Sequence, residues 1–264
     1  MPFDAEVMFD PHGVEVVIRE ANLCGISTPG SVKIANENFS LDLRPFSKSQ
    51  ELQSAFRCLL DQEMRVKGDF DLKGRIVAQG KPEDFIRSLK GNVELQSKDG
   101  HFYYAKGLMR VLEFVNATEI YRGKLPDPKK EGVNYKLIKI RAAFHDGKLM
   151  IEEAMLDGPA LELVAKGEID IMNQEMNLMV LVAPLKTVDR IVKLTPVVRE
   201  IFAGTLITIP VRVHGSLKDP KVTALSPSAI GDEILAMMKR TLGLPFKVIE
   251  PFVPSKKEKS GEGR

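Results

Sequence analysis

The chain has 264 residues, 44% hydrophobic and 28% charged, enough to bury a real core as one elongated domain or two. Its 38 basic residues stand against 36 acidic ones for a net charge of +2. The charges are interspersed, which argues against a nucleic-acid binder, because neutralising several phosphates takes a concentrated basic surface.

No stretch approaches the roughly 18–20 consecutive apolar residues of a transmembrane helix, and residues 1–20 lack the three parts of a signal peptide. Met1-Pro2-Phe3 runs directly into the alternating pattern DAEVMFD. A chain that begins mid-sheet is expected to be a fragment, or the C-terminal part of a longer protein with its targeting segment upstream.

Residues 2–43 read as a meander, with runs at 7–9, Val14–Ile18, Ser31–Ala35 and Phe39–Leu43. The turn signals Asp10-Pro11-His12-Gly13, Thr28-Pro29-Gly30 and Asn36-Glu37-Asn38 separate them and predict antiparallel pairing. In SKSQELQSAFRCLLDQ, Leu52, Ala55, Phe56, Leu59 and Leu60 fall at three-to-four spacing after a capping serine, which predicts a short amphipathic helix. Strand pattern resumes at Met64 through RVKGDFDLKGRIVAQG, and Pro82-Glu83-Asp84 opens a brief helix through Leu89. GNVELQSKDG reads as a strand and turn. Phe102 to Asn116 reads as an amphipathic helix carrying Leu108, Val111, Leu112 and Val115.

The polar loop RGKLPDPKKEG is expected to project from the body, and Tyr135–Phe144 begins a long strand series. That series continues as Leu149/Ile151, Leu161/Leu163/Ala165, Ile169/Ile171, Leu178/Val180/Val182 and Ile207/Ile209/Val211/Val213, all at the period of half-buried strands. A helix over 185–203, kinked at Pro196, interrupts it. A last helix from Ser228 to about Leu242 aligns Ile230, Ile234, Leu235, Met238 and Leu242 and stops at Gly243 and Pro245.

A basic residue followed by glycine and an apolar alternation recurs at Lys67, Lys90, Lys166 and, with histidine, His214. These read as equivalent strand starts, glycine permitting a bulge or bend. Their spacing does not fit a propeller or a helical solenoid. It suits a fold that is mainly β with flanking α-helices, built on a long curved antiparallel sheet.

Chemical signals are sparse. The four histidines, at 12, 101, 145 and 214, stand beside turn residues and read as exposed turn histidines. No nucleophile elbow, zinc-binding helix motif or phosphate loop is present, so no catalytic, cofactor or metal residue is assigned. Glu152, Glu153, Glu168 and Asp170 read as the polar face of the sheet. Cys24 and Cys58 match no metal spacing and are open to two readings: two buried thiols in a reducing compartment, or one disulfide in an oxidising one. In MNLMVLV, from Met176 to Val182, both faces turn apolar. One face is then either buried beneath a helix, such as 185–203, or part of a concave apolar lining.

ANLCGISTPG at 21–30, FRCLLDQEMRVKGDFDLKG at 56–74, LKGNVELQSKDGHFYYAKGLMRVLEFVNATEI at 89–120 and ITIPVRVHGSLKDPKVTALSP at 207–227 together resemble the C-terminal region of AsmA-like proteins of Gram-negative bacteria. The resemblance covers most of the chain. It implies a β-groove domain over residues 1–253, with a sub-boundary near 80–90, followed by a disordered polar tail at 254–264. It also implies a periplasmic location, membrane attachment through a missing upstream anchor or through envelope partners, and a non-enzymatic role in phospholipid transport between inner and outer membranes. Acyl chains would then lie on Leu161, Leu163, Ile169, Ile171, Leu178, Val180, Val182, Ile209, Val211 and Val213, with the helices at 185–203 and 228–242 closing the groove or covering its edge. A periplasmic address implies a Cys24–Cys58 disulfide worth roughly 3 kcal/mol. The other reading is an interaction module that assists outer-membrane protein assembly by sheet-edge pairing.

Overall fold

The computed structural model describes residues 3–59, 65–118, 132–184, 206–243 and 245–249. The readings over 185–203, most of the polar loop at 122–132 and the tail at 254–264 lie outside them. From the N-terminal side come strands β1 (Asp4–Asp10), β2 (Gly13–Glu20), the small corner strands β3 (Asn22–Leu23) and β4 (Ile26–Ser27), then β5 (Gly30–Ala35), β6 (Asn38–Leu43) and β7 (Phe46–Glu51). Helix α1 (Leu52–Leu59) leads to β8 (Arg65–Gly80), α2 (Phe85–Ser88), β9 (Lys90–Tyr104) and α3 (Lys106–Ala117). The strand series β10 (Val133–His145), β11 (Lys148–Asp157), β12 (Leu161–Asp170) and β13 (Glu175–Pro184) follows. The chain closes with β14 (Leu206–Ser216), β15 (Lys221–Ala224), α4 (Asp232–Leu242) and β16 (Phe246–Val248).

All the strands join one open sheet, ordered β1-β2-β5-β6-β8-β9-β10-β11-β12-β13-β14-β15, with β3, β4, β7 and β16 off this path. It is mainly β, is not closed into a barrel and carries a few short helices. Every pairing is antiparallel except β14 with β16. The β8–β9 pairing runs along both strands, so the sheet passes without a break across residues 80–90.

Turn chemistry sets this order. Asn36-Glu37 and Asp146-Gly147 sit at positive φ in two-residue loops, the backbone twist that matches two right-twisted strands. Gly243 takes the left-handed conformation that ends α4, at φ 61°.

Three local readings change. Residues 46–51 are strand and α1 begins only at Leu52, because the backbone there finds partners on β8, Ser47 opposite Leu72 and Gln50 opposite Phe70. The Lys98-Asp99-Gly100 turn is a bulge: Asp99 and Gly100 together face Gly68, and β9 continues to Tyr104. The helix after it therefore starts at Lys106 rather than Phe102.

The glycines of the repeated element all have positive φ: Gly68, Gly91, Gly167 and Gly215. They are not equivalent strand starts, since Gly68 and Gly91 open β8 and β9 while Gly167 and Gly215 lie near the ends of β12 and β14. Gly68, Gly91 and Gly167 also lie in close approach to neighbouring strands, whereas a Cβ at Gly215 would meet nothing within 4 Å. A Cβ at Gly91 would strike the carbonyl oxygen of Arg75, and one at Gly167 that of Asn177.

Candidate functional site

Cross-strand register brings one row of apolar side chains to one face of the whole sheet. Val7 lies opposite Val16, Val16 opposite Val32, Val32 opposite Leu41 and Leu41 opposite Ala78. Two-residue steps along β8 lead from Ala78 to Leu72 on the same side. From there the row runs Leu72, Leu95, Ile140, Ala154, Ala165, Val180, Val211 and Ala224, each opposite the next.

Burial divides this face into two regions. At the C-terminal end α3 lays Val111, Leu112 and Val115 into the same core as Leu161, Val180, Val182, Ile209, Val211 and Val213. Val182 and Ile209 have no exposed surface. These six candidates therefore share the predicted face but are core residues under a helix, with no room for a chain to lie on them. Leu163 and Leu178 are partly buried and pack against the same core. Ile169 and Ile171 are partly buried beyond it.

At the N-terminal end the face stays accessible. Val14, Val16, Ile18, Val32, Leu41 and Leu43 are half-buried, while Val7, Ile34 and Phe9 are 49%, 57% and 79% exposed. Phe85 of α2 packs on Phe39 with the rings tilted and their centroids 5.2 Å apart, and α1 places Leu52 and Ala55 in the core that holds Phe70. This accessible strip was missed as a site because its strands read as an ordinary meander. The same two-residue alternation in VEVVI, SVKIA and FSLDL marks it.

Both faces of β13 are covered, by different helices. Leu181 and Ala183, with Val164, meet Ile230, Ile234, Met237, Met238 and Leu242 of the α4 segment on the opposite face. The expectation that the last helix closes the groove or covers its edge is thus corrected: α4 packs on the other side, and α3 fills the groove end.

The opposite face otherwise carries a series of charge pairs. Asp42 pairs with Arg75, which holds its carboxyl below the usual range. Glu94 pairs with Lys73, Glu153 with Arg141 and Glu168 with Lys148. Asp170 accepts from the backbone and side chain of Asn173, which lowers its pKa. A cavity of about 540 Å³ lies here between β12–β14 and the start of α4, lined by Met179, Leu225 and Ile234, with Lys166 and Arg212 at its rim. The rim charges are paired, Lys166 with Glu233 and Arg212 with Asn177.

Two histidine readings are corrected. His101 and His214 lie within β9 and β14, and His101 Nδ1 is 2.6 Å from Asn134 Oδ1. Among the described residues no cluster of histidine, cysteine and carboxylate side chains could hold a metal. Cys24 and Cys58 are joined by a disulfide, Cα atoms 5.5 Å apart, which ties α1 to the β3–β4 corner.

Glu162 is a buried carboxylate that its strand pattern did not single out. It lies opposite Asp157 and Ala183, and one oxygen has no partner. Burial pushes its pKa up to about 7, the Asp157 charge adds to this and Lys136 opposes it. Between about pH 4.5 and 7 the unfolded chain releases a proton that the folded chain keeps, so folding loses stability as pH rises through that window. Glu162→Gln is expected to gain about 1–2 kcal/mol over wild type at pH 8 and almost nothing at pH 4 in urea unfolding. Equal effects at both values would show an ordinary surface carboxylate.

Comparison with family models, with curated proteins and with solved structures returns no significant match. The fold is one open, mainly antiparallel sheet that carries an apolar row across one face, packed by a helix at one end. Among the described residues no helix is long and apolar enough to cross a membrane.

Proposed function

We propose that the chain is a non-enzymatic lipid-handling module of the cell envelope, the C-terminal region of an AsmA-like protein, holding phospholipid acyl chains on its apolar face. The observation that carries this reading is the apolar row held in register across the sheet and accessible over β1, β2, β5 and β6. Accessible apolar surface of this continuity costs free energy in water and is stabilised by an apolar occupant. Acyl chains suit it because they need no directional contacts. The ion pairs on the opposite face keep that side in water, and α3 makes the C-terminal end of the face a stop. Chains therefore enter and leave toward β1.

The disulfide supports a periplasmic address, since such bonds persist in oxidising compartments. Transport between inner and outer membranes is the role that this location and surface serve together.

Protein purified from a phospholipid-rich host is expected to carry phospholipid detectable by mass spectrometry after gentle extraction. The paired change Val16→Glu and Leu41→Glu should lower the load at least about fivefold, because a carboxylate on an apolar contact surface must be desolvated when the chain binds. Folded, lipid-free wild-type protein from such a host would remove the basis for the proposal.

A further inference from the structure

On the face that α4 covers, cross-strand register sets Lys166 opposite Met179, Met179 opposite Arg212 and Arg212 opposite Thr223. Neighbouring strands lie about 4.8 Å apart, so a methionine stands between two cations. Met179 is the floor of the cavity of about 540 Å³ between β12–β14 and the start of α4, with Leu225 and Ile234 as its walls. Ile234 is buried, while Met179 and Leu225 are only partly buried against the same core, so their remaining surface faces the hollow. A cavity of this size, apolar with a few polar groups converging on it, is what small organic ligands occupy.

The two cations are held differently. Lys166 pairs with Glu233 of α4, which cancels its charge. Arg212 donates from Nε to Asn177 Oδ1 at 2.7 Å. Asn177 is neutral, so this bond orients the guanidinium and leaves its charge intact, and among the described residues no carboxylate pairs with its terminal nitrogens. Lys221, opposite His214 one row further along the same face, is a second cation without an ion pair among the described residues. Against them stands Asp232, the one lining carboxylate that Lys166 does not neutralise. The balance favours an anion on the Arg212 side of the cavity.

We infer that this cavity binds a small carboxylic acid with a compact, preferably aromatic, apolar body. The ring lies on Met179 between Leu225 and Ile234, where the thioether makes favourable contact with an aromatic edge. The carboxylate meets the terminal nitrogens of Arg212, whose planar fork matches its two oxygens. A long acyl chain is the poorer occupant. Two residues along β13 from Met179, Leu181 is fully buried under α4, and in the other direction the floor turns polar at Asn177 and His214. The cavity lies on the opposite side of the sheet from the apolar row, so this inference does not depend on acyl chains occupying that row.

The test uses the full chain and three probes that share one ring system: naphthoate, the neutral naphthalenemethanol and the cationic naphthylmethylamine. Naphthoate is expected to bind one to one in calorimetry, at least about tenfold more tightly than either of the others, and more weakly as salt rises. Arg212→Gln should remove that advantage and leave the alcohol's binding unchanged. Arg240→Gln, the same charge change at the other end of α4, should preserve it. Gly231 has an extended backbone and a Cβ there meets nothing within 4 Å. Gly231→Phe, checked for fold by circular dichroism, should therefore fill the hollow and lose all three probes. The paired change Val16→Glu and Leu41→Glu should bind naphthoate as wild type does, which separates this site from the acyl-chain face. If Gly231→Phe does not fold, the two arginine variants decide. Equal binding of the three probes, an advantage that survives Arg212→Gln or disappears with Arg240→Gln, undiminished binding by folded Gly231→Phe, or weakened binding by the folded Val16 and Leu41 variant would overturn the inference.

Discussion

Val182→Glu is expected to cost more than about 4 kcal/mol and to lower the melting temperature by on the order of 10 °C or more. Val182 has no exposed surface and lies opposite Leu163 and Ile209, within the core that α3 shares. A carboxylate there would be buried without a partner, because the core it would enter is made of apolar side chains. Domains are stable by only about 5–15 kcal/mol, so a loss of this size removes a large share of the total. Val16→Glu, on the same face but half-exposed on β2, is expected to cost about 1 kcal/mol or less because the new carboxylate can reach water. Thermal and urea unfolding of the two variants side by side is the measurement. Similar small losses at both positions would mean that the C-terminal end of the face is open after all, and the acyl-chain site would have to include it.

Removing the Cys24–Cys58 bond, by reductant or by Cys58→Ser, is expected to cost roughly 3–4 kcal/mol. The bond closes a loop between residues 34 apart in sequence, and the unfolded chain gains the freedom that closure denied it. The loss should appear as a lower urea midpoint. It should leave the α4 side unaffected, because Ile234 and Met238 pack on Leu181 and Val164, away from the bond. Thiol titration of denatured, unreduced protein from an oxidising compartment should find no free thiol, and two free thiols there would sink the prediction.

Together the two predictions separate what holds the sheet from what is available on it. The C-terminal end is held by helices on both faces, α3 on one and α4 on the other. The middle is pinned by α1 and its disulfide. Beyond β8 toward β1 the strands are held by cross-strand bonds and charge pairs such as Asp42 with Arg75, with little helix cover among the described residues. The accessible apolar strip lies in that region.

Much of this architecture was legible in the sequence because its causes are local. Side chains alternate across a strand, so Val14, Val16 and Ile18, or Val180 and Val182, declare a common face wherever they end up. Asn36-Glu37-Asn38 declares its hairpin and Gly243 the end of α4, since few residues adopt those backbone angles cheaply. The open antiparallel sheet with flanking helices follows from those signals. Periodicity, however, names a face and is silent about what lies on it. Val16 and Val182 carry the same signal, and only the docking of α3, some 70 residues before Val182 in the chain, makes one accessible and the other core. The same holds for Ser47, drawn into a strand by Leu72, for Asp99, spent on a bulge rather than a turn, and for Glu162, whose burial depends on neighbours on other strands. The sequence by itself determined an alternating sheet with an apolar side and a polar side. The tertiary structure decided which end of the apolar side is filled and which is left accessible, because burial is a property of contacts between distant segments.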